Sequence, residues 1–418
     1  MQIKVGAPEA IRGHIVLPSS KSLSNRALVI SALSGSPQTL ENVSDCDDTR
    51  VMIEWLSGKP QTIDIGAAGT AMRFSTAMLA VGEGTHVITG SDRMKQRPIG
   101  ILVDALRQLG AHIEYMEKEG FPPLRITGNR CLEGGIVHVL GNVSSQYISA
   151  LLMIAPMLKK GLKLVSSDKI VSRPYIDMTL SVMRDYGAKA YWKEENGQEC
   201  IVVEPVPYQA RKYFVESDWS AASYWYEMVA LAPNDDAEVV LPGLFAESVQ
   251  GDSHGAQLFE KLGVTTEYRD NAIVLRKNGR CVDALYHDFL EMPDLAQTFV
   301  VTCCMMGVPF HFIGLQSLKI KETDRIEALK TELAKLGYIL EDHNDSELLW
   351  NGVRGQVGIN LPDEIAISTY EDHRMAMAFA PVALCHDYIR INDPHVVSKS
   401  YPHFWKDLER VGFKIETV

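Results

Sequence analysis

Five segments of the chain share one pattern: apolar residues at helical spacing, then a glycine, then a short run of alternating apolar and polar residues. They are LVDALRQLGAHIEY, LSVMRDYGAKAYW, LFEKLGVTTEY, LKTELAKLGYILE and FWKDLERVGFKIE, turning at Gly110, Gly187, Gly263, Gly337 and Gly412. Successive glycines lie 77, 76, 74 and 75 residues apart. Apolar positions at i, i+3 and i+4 predict an amphipathic helix, glycine at C′ ends it, and period two predicts a strand. VMIEWLSGKPQTIDI, turning at Gly58, reads as a sixth, shortened copy 52 residues before Gly110. Echoes at such regular spacing are an internal repeat.

A second helical series interleaves with the first: SKSLSNRALVISAL, AGTAMRFSTAMLA, SSQYISALLMIA, SDWSAASYWYEMVA, MPDLAQTFVVTCCM and EDHRMAMAFAPVAL. Each precedes a turn and a β-rich segment such as LKLVSS or YIRIND. The chain therefore reads as six copies of a two-helix α/β unit. At roughly 150 residues per domain, 418 residues favour two domains of three units over one layer of six. The expected division is an inserted domain, 20–214, and a discontinuous one, 1–19 plus 215–418, with the N-terminal strand joining the second half. The segment 207–217, with Pro207 and a polar run, is the expected crossing point.

Charge narrows the function. With 41 Lys+Arg against 53 Asp+Glu, the net of −12 disfavours nucleic acid and anionic membranes as partners. Small anionic substrates answer to local charge and stay open. The seven cysteines, 46, 131, 200, 281, 303, 304 and 385, are scattered without a CxxC, so reduced, mostly buried thiols are expected. The N-terminus lacks an apolar run of signal-peptide length, and the apolar stretches at 148–158 and 375–385 are too short to span a bilayer. We expect a cytoplasmic monomer.

The starts of the second helical series carry the functional signal. They are dense in polar or small residues: Ser-Lys-Ser, Ala-Gly-Thr, Ser-Ser-Gln, Ser-Asp-Trp-Ser, Pro-Asp and Glu-Asp-His-Arg. N-capping accounts for any one of them. Six together suggest helix N-termini converging on anions, in a cleft between the two halves. In PSSKSLSNR, Lys21 and Asn25, and Ser22 and Arg26, are i,i+4 pairs suited to phosphate, although no P-loop pattern is present. Gly69 in IGAAGTAMR permits close backbone approach, and DRMKQRP places Arg97 before a proline. SSQY offers Ser144, Ser145 and Gln146, and VSRPYID offers Ser172, Arg173 and Tyr175. In KIKETDRIEALK, Lys321 and Arg325 present two cations with Glu322 between them, either as a salt-bridged helix start or as proton-transfer chemistry with Asp294 of MPDLAQT. Arg374 and Lys399 add cations from EDHR and SKSYP. No metal-ligand spacing occurs, so no metal is expected.

SKSLSNRA, AGTAMR, MKQRPIG, SSQY, SRPYID, MPD, KETDR, EDHRMAMA and SKSYP, in this order across 19–402, closely resemble the 5-enolpyruvylshikimate-3-phosphate synthase family. The resemblance implies a two-domain inside-out α/β barrel, three βαβαββ repeats per domain, with the active site in the interdomain cleft. It implies enolpyruvyl transfer from phosphoenolpyruvate to the 5-hydroxyl of shikimate 3-phosphate, through a tetrahedral ketal phosphate and without a cofactor. By motif, Lys21, Asp294 and Glu322 would be catalytic. Lys21, Ser22, Arg26, Ser144, Ser145, Gln146, Ser172, Tyr175, Asp294 and Lys321 would hold shikimate 3-phosphate. Lys21, Gly69, Arg97, Gln146, Arg325, Arg374 and Lys399 would hold phosphoenolpyruvate.

Three positions depart from the family's common pattern: Ala67 where Asn is frequent, Phe74 where Pro is frequent, and Ser317 where many members have a shikimate-contacting Asn. The nearest rival is the enolpyruvyl transferase acting on UDP-N-acetylglucosamine, but SDRMKQRP lacks the reactive Cys usual in that loop. A non-catalytic anion-binding relative would need to have lost the carboxylates, and Asp294 and Glu322 are both present.

Overall fold

The five glycines that end the amphipathic segments all adopt positive φ, from +84° at Gly187 to +96° at Gly110 and Gly412. A side chain resists that geometry and glycine does not. Each follows a helix (Gly100–Gln108, Arg173–Asp185, Gly255–Glu260, Arg325–Lys335, Phe404–Arg410) and each leads into a strand (His112–Tyr115, Ala190–Glu195, Val264–Arg269, Glu341–His343, Lys414–Thr417). The sixth copy differs. Gly58 is the last residue of the Asp47–Gly58 helix and lies outside the left-handed region. Pro60, whose ring cannot continue a helix, follows it before the Thr62–Asp64 strand.

The computed structural model of the chain describes residues 1–35, 40–58, 60–139, 144–166, 173–195, 197–355 and 365–418. By packing it divides into two compact units, Met1–Pro18 with Ser217–Val418, and Ser19–Glu216.

In the first unit three four-stranded sheets share one plan: two parallel strands, then an antiparallel pair. Leu285–Asp288 and Phe310–Ile313 run parallel, and Glu347–Trp350 and Glu341–His343 complete that sheet antiparallel. A second sheet takes its first strand, Arg12–His14, from before the inserted unit and pairs it with Glu238–Pro242. The third places the N-terminal strand Gln2–Gly6 between Tyr388–Asn392 and Lys414–Thr417. The Ser19–Glu216 unit holds two sheets of the same plan. Its remaining copy is reduced, among the described residues, to the parallel pair Leu40–Glu41 and Tyr213–Phe214.

The second helical series fills the centres. In the first unit Trp219–Leu231, Ala296–Met306 and His373–Phe379 pack on one another, and in the second Lys21–Leu33, Gly69–Ala80 and Ser145–Ile154 do so. Nearly every residue of Trp219–Leu231 and Ala296–Met306 is buried. Helices apolar around their whole circumference belong inside a core. Their polar starts meet at one end: Gln146 Nε2 donates to Thr70 Oγ1 (3.2 Å), joining the second positions of two of these helices. In the first unit the corresponding joint is Ser223 to Thr298 at 3.2 Å. Cys46, Cys200, Cys303 and Cys304 are buried, and Cys131, Cys281 and Cys385 are exposed. Among the described residues no helix is long and apolar enough to cross a membrane.

Inside the first core, Glu227 has no ion pair with a cation among the described residues. Glu227 is fully buried, interacts with Thr302, and lacks a hydrogen bond of good geometry at either carboxyl oxygen. Thr302 donates its own proton to the Thr298 carbonyl (2.7 Å), which leaves its oxygen to accept from a protonated Glu227. Burial raises the Glu227 carboxyl well above its ordinary value of 4.5. Its favourable contribution is therefore complete below about 4.5 and is lost as pH rises through the folded value. Glu227→Gln should raise the melting temperature by a few degrees at pH 8 and leave it unchanged at pH 4. A pH-independent difference in calorimetric scans would refute this origin.

Candidate functional site

In the Ser19–Glu216 unit, Ser20 caps the Lys21–Leu33 helix by accepting from Leu23 N. That start sets Lys21 beside the buried Asp48, Nζ to Oδ2 3.8 Å. One turn on, Asn25 accepts from Thr49 (3.0 Å), tying the same two helices together. Arg26 is buried. It donates to Thr179 Oγ1 (2.7 Å), the Ser22 carbonyl (2.9 Å), Ser149 Oγ (3.2 Å) and the Tyr175 carbonyl (3.1 Å). It thus joins three helices, and its ring neighbour is Phe74, whose centroid lies 5.4 Å away. Burial lowers this guanidinium to about 10, against the opposing pull of Tyr175.

Ser144 caps the Ser145–Ile154 helix through Gln146 N, so Ser145 is its first residue. Gly69 opens its helix directly under Arg97; a Cβ there would stand 2.6 Å from Arg97 Nη1. Arg73, which the AGTAMR motif carries, is buried in support of this loop, donating to the Gly69 and Pro98 carbonyls at 3.1 and 3.2 Å. Tyr147 fixes the same Pro98 carbonyl at 2.6 Å. Ser172 lies outside the described residues.

The first unit gathers the remaining candidates into one cluster around Arg325. This guanidinium, 1% exposed, donates to Asp372 (2.7 Å), Glu322 (2.9 Å) and Asp294 (3.2 Å). Asp294 also faces Arg374 at 2.9 Å and Lys321 at 3.6 Å. Glu322 also faces Lys399 at 3.0 Å. Burial by itself would raise the Asp294 carboxyl, but Arg374, Lys321 and Arg325 together hold it well below the ordinary carboxylate range. Burial alone would lower Arg325, yet Asp372, Glu322 and Asp294 reverse that and raise it.

Three members of this neighbourhood did not stand out in sequence. Asp372 caps the His373–Phe379 helix through Arg374 N (2.9 Å) and anchors Arg325 from the same carboxylate. Tyr224, whose hydroxyl burial pushes up, accepts from Arg374 at 3.5 Å. Asp252 accepts from Ser220 at the start of the Trp219–Leu231 helix. Burial first, and the Asp294 carboxylate second, push Asp252 up to about 7. Asp48 escaped notice in the same way, because acids in the first turn of a helix, here Asp47 and Asp48, are ordinary. A legible signal did exist for Asp372: a cap residue directly before Arg374.

Mixed α/β units whose helix starts gather cations around buried carboxylates define a protein built for multiply anionic small molecules. The family model described as EPSP synthase (3-phosphoshikimate 1-carboxyvinyltransferase) matches residues 5–59 and 56–408, and the chain belongs to that family. A 3-phosphoshikimate 1-carboxyvinyltransferase of Bacteroides fragilis is 59% identical over 416 residues, covering 100% of this chain and 99% of the relative. One from Vibrio cholerae is 37% identical over 427 residues, covering 95% and 96%. A solved EPSP synthase of Acinetobacter baumannii, at 20% identity, matches with a TM-score of 0.78 over 100% of both chains, which shows the shared fold.

Proposed function

We propose that this protein transfers the enolpyruvyl group of phosphoenolpyruvate to the 5-hydroxyl of shikimate 3-phosphate and releases phosphate. The observation that carries this reading is the Arg325 cluster: two carboxylates, Asp294 and Glu322, that share Arg325 and are each met by further cations, Lys321 and Arg374 for the first and Lys399 for the second. The substrates bring two phosphates and two carboxylates, groups that arginine and lysine bind through charge-assisted hydrogen bonds.

In the addition step the 5-oxygen bonds to C2 of phosphoenolpyruvate, its proton goes to Asp294, and Glu322 delivers a proton to the C3 methylene. In the elimination step C3 returns its proton to Glu322, the C2–O bond to phosphate breaks as the double bond re-forms, and the departing phosphate takes the proton that Asp294 accepted. Carboxylates flanking a carbon that gains positive character lower that barrier. Asp294 in the free protein is a weak base, because three cations hold it ionised. An anionic substrate that engages Arg374 and Arg325 draws their charge away and raises the basicity of Asp294 when it is needed. In the other unit Lys21, Ser22, Arg26, Ser144, Ser145, Gln146, Ser172 and Tyr175 would serve shikimate 3-phosphate. Lys21, Gln146, Gly69 and Arg97 would serve phosphoenolpyruvate, as would Arg325, Arg374 and Lys399 of the first unit, without a metal or organic cofactor. Among the described residues, the buried hydroxyl of Ser317 has no hydrogen-bond partner.

Phosphate release by the purified protein should require both shikimate 3-phosphate and phosphoenolpyruvate. Turnover of UDP-N-acetylglucosamine with no such release would sink the proposal. A further test concerns Gly69→Ala. The methyl group would press on the end of the Arg97 side chain rather than on backbone, so folding should be unaffected. The displaced charge-assisted contact should raise KM for phosphoenolpyruvate roughly tenfold or more, with KM for shikimate 3-phosphate little changed. Equal changes in both constants would dissociate Arg97 from phosphoenolpyruvate.

A further inference from the structure

Two consecutive residues with side chains, Tyr370 and Glu371, hold φ of +54° and +57°. Asp372 N donates to the Thr369 carbonyl across them at 2.8 Å, so they are the central pair of a type I′ turn. Such turns are ordinarily built from Asn and Gly, because a Cβ disfavours the left-handed region. A strained turn persists only where its surroundings hold it, and such turns cluster at functional sites. This one directly precedes Asp372 and Arg374.

The restraint is visible. Glu332 is fully buried on the Arg325–Lys335 helix, and its carboxylate accepts from Tyr370 Oη (2.6 Å) and Ser368 N (3.1 Å), one oxygen each. Lys335 neutralises it from the next turn and also donates to the Ala366 carbonyl at 3.0 Å. Arg325 and Glu332 stand seven positions apart on one face of that helix. The same helix therefore grips the 366–372 segment twice: Arg325 holds Asp372 beyond the turn, and Glu332 holds Ser368 and Tyr370 at its base. Released from Glu332, the turn would relax toward negative φ and carry Asp372 with it. Asp372 sets both the Arg325 guanidinium and the first turn of the helix that bears Arg374.

We propose that Glu332, acting through Tyr370, is a positioning residue that keeps this turn left-handed and thereby fixes Arg325 and Arg374 for the anionic groups of phosphoenolpyruvate. The inference rests on the function proposed above. Glu332 touches no reacting atom; its effect is on where two cations stand.

Glu332→Gln and the milder Tyr370→Phe should each raise KM for phosphoenolpyruvate roughly ten- to a hundredfold, with a smaller change in KM for shikimate 3-phosphate. The exposed Glu371 then provides a rescue, since glycine adopts positive φ freely. Glu371→Gly alone should leave activity unchanged, and Glu332→Gln with Glu371→Gly should recover most of the lost affinity. Unaltered kinetics in both single variants would overturn the proposal. So would a loss that Glu371→Gly does not relieve, since Glu332 would then merely hold the fold. Calorimetric titration with inorganic phosphate gives the same comparison without turnover: weaker binding in Glu332→Gln, restored in the double variant. A wild-type protein that binds phosphate in this pattern yet consumes no shikimate 3-phosphate would overturn the proposed function and leave the positioning role standing.

Discussion

Glu322→Gln should fold, bind both substrates and turn over at least a hundredfold more slowly. The amide keeps one acceptor for Arg325 or Lys399, and Arg325 retains Asp372 and Asp294, so the cluster loses little of its framework. It removes the only group proposed to move a proton at the methylene carbon, a role worth roughly 10²–10⁴ in rate. The specific readout is isotopic. In D₂O the wild-type protein should introduce deuterium at C3 of phosphoenolpyruvate or product, and the variant should not. Near-normal turnover, or undiminished exchange, would take Glu322 out of the chemistry.

Arg325→Met should be the most destabilising single change in the cluster. Methionine fills much of the same volume but abandons Asp372, which is 0% exposed, along with Glu322 and Asp294. Removing one partner from a buried ion pair costs about 3–5 kcal/mol, which for a unit of this size lowers the melting temperature by roughly 10 °C. The pH dependence follows from Asp294. Its folded value lies well below 3.8, so its pairing stabilises above the ordinary value and is lost as pH falls through the folded one. The gap between wild type and variant should therefore be widest near neutrality and narrow in acid. Arg325→Lys should fall between, because one ammonium cannot reach three carboxylates in fixed directions. A melting temperature unchanged at pH 7 would mean that Arg325 does not neutralise this core.

Much of the architecture was legible because it is local and repeated. The C′ glycines read from spacing all carry positive φ except Gly58, where a helix runs through the glycine and Pro60 stands shortly after it. The polar starts of the inner helices were legible for the same reason: capping and anion chemistry both sit within three or four residues. What escaped depends on distant partners. Asp252, Asp48 and Glu332 look like ordinary acids in sequence, and only packing shows that each is buried against a particular group. The Leu40–Glu41 and Tyr213–Phe214 pair joins two-residue strands about 170 positions apart, too short to leave a period. Glu227 was within reach: an acid inside a helix apolar on every side has no solvent face to occupy.

The placement of Gln2–Gly6 between Tyr388–Asn392 and Lys414–Thr417 bears on how the protein is made. Gln2–Gly6 is the interior strand of a sheet whose other members are translated long after it. The long intervening segment must emerge before Ile3 meets Ile391 on one side and Thr417 on the other. The Ser19–Glu216 unit, by contrast, is contiguous and can close while synthesis continues. Translation thus leaves an unpaired, apolar-alternating segment waiting while the residues between it and its partners are made. This stretch is where nascent chains would be most open to chaperone capture or to mispairing.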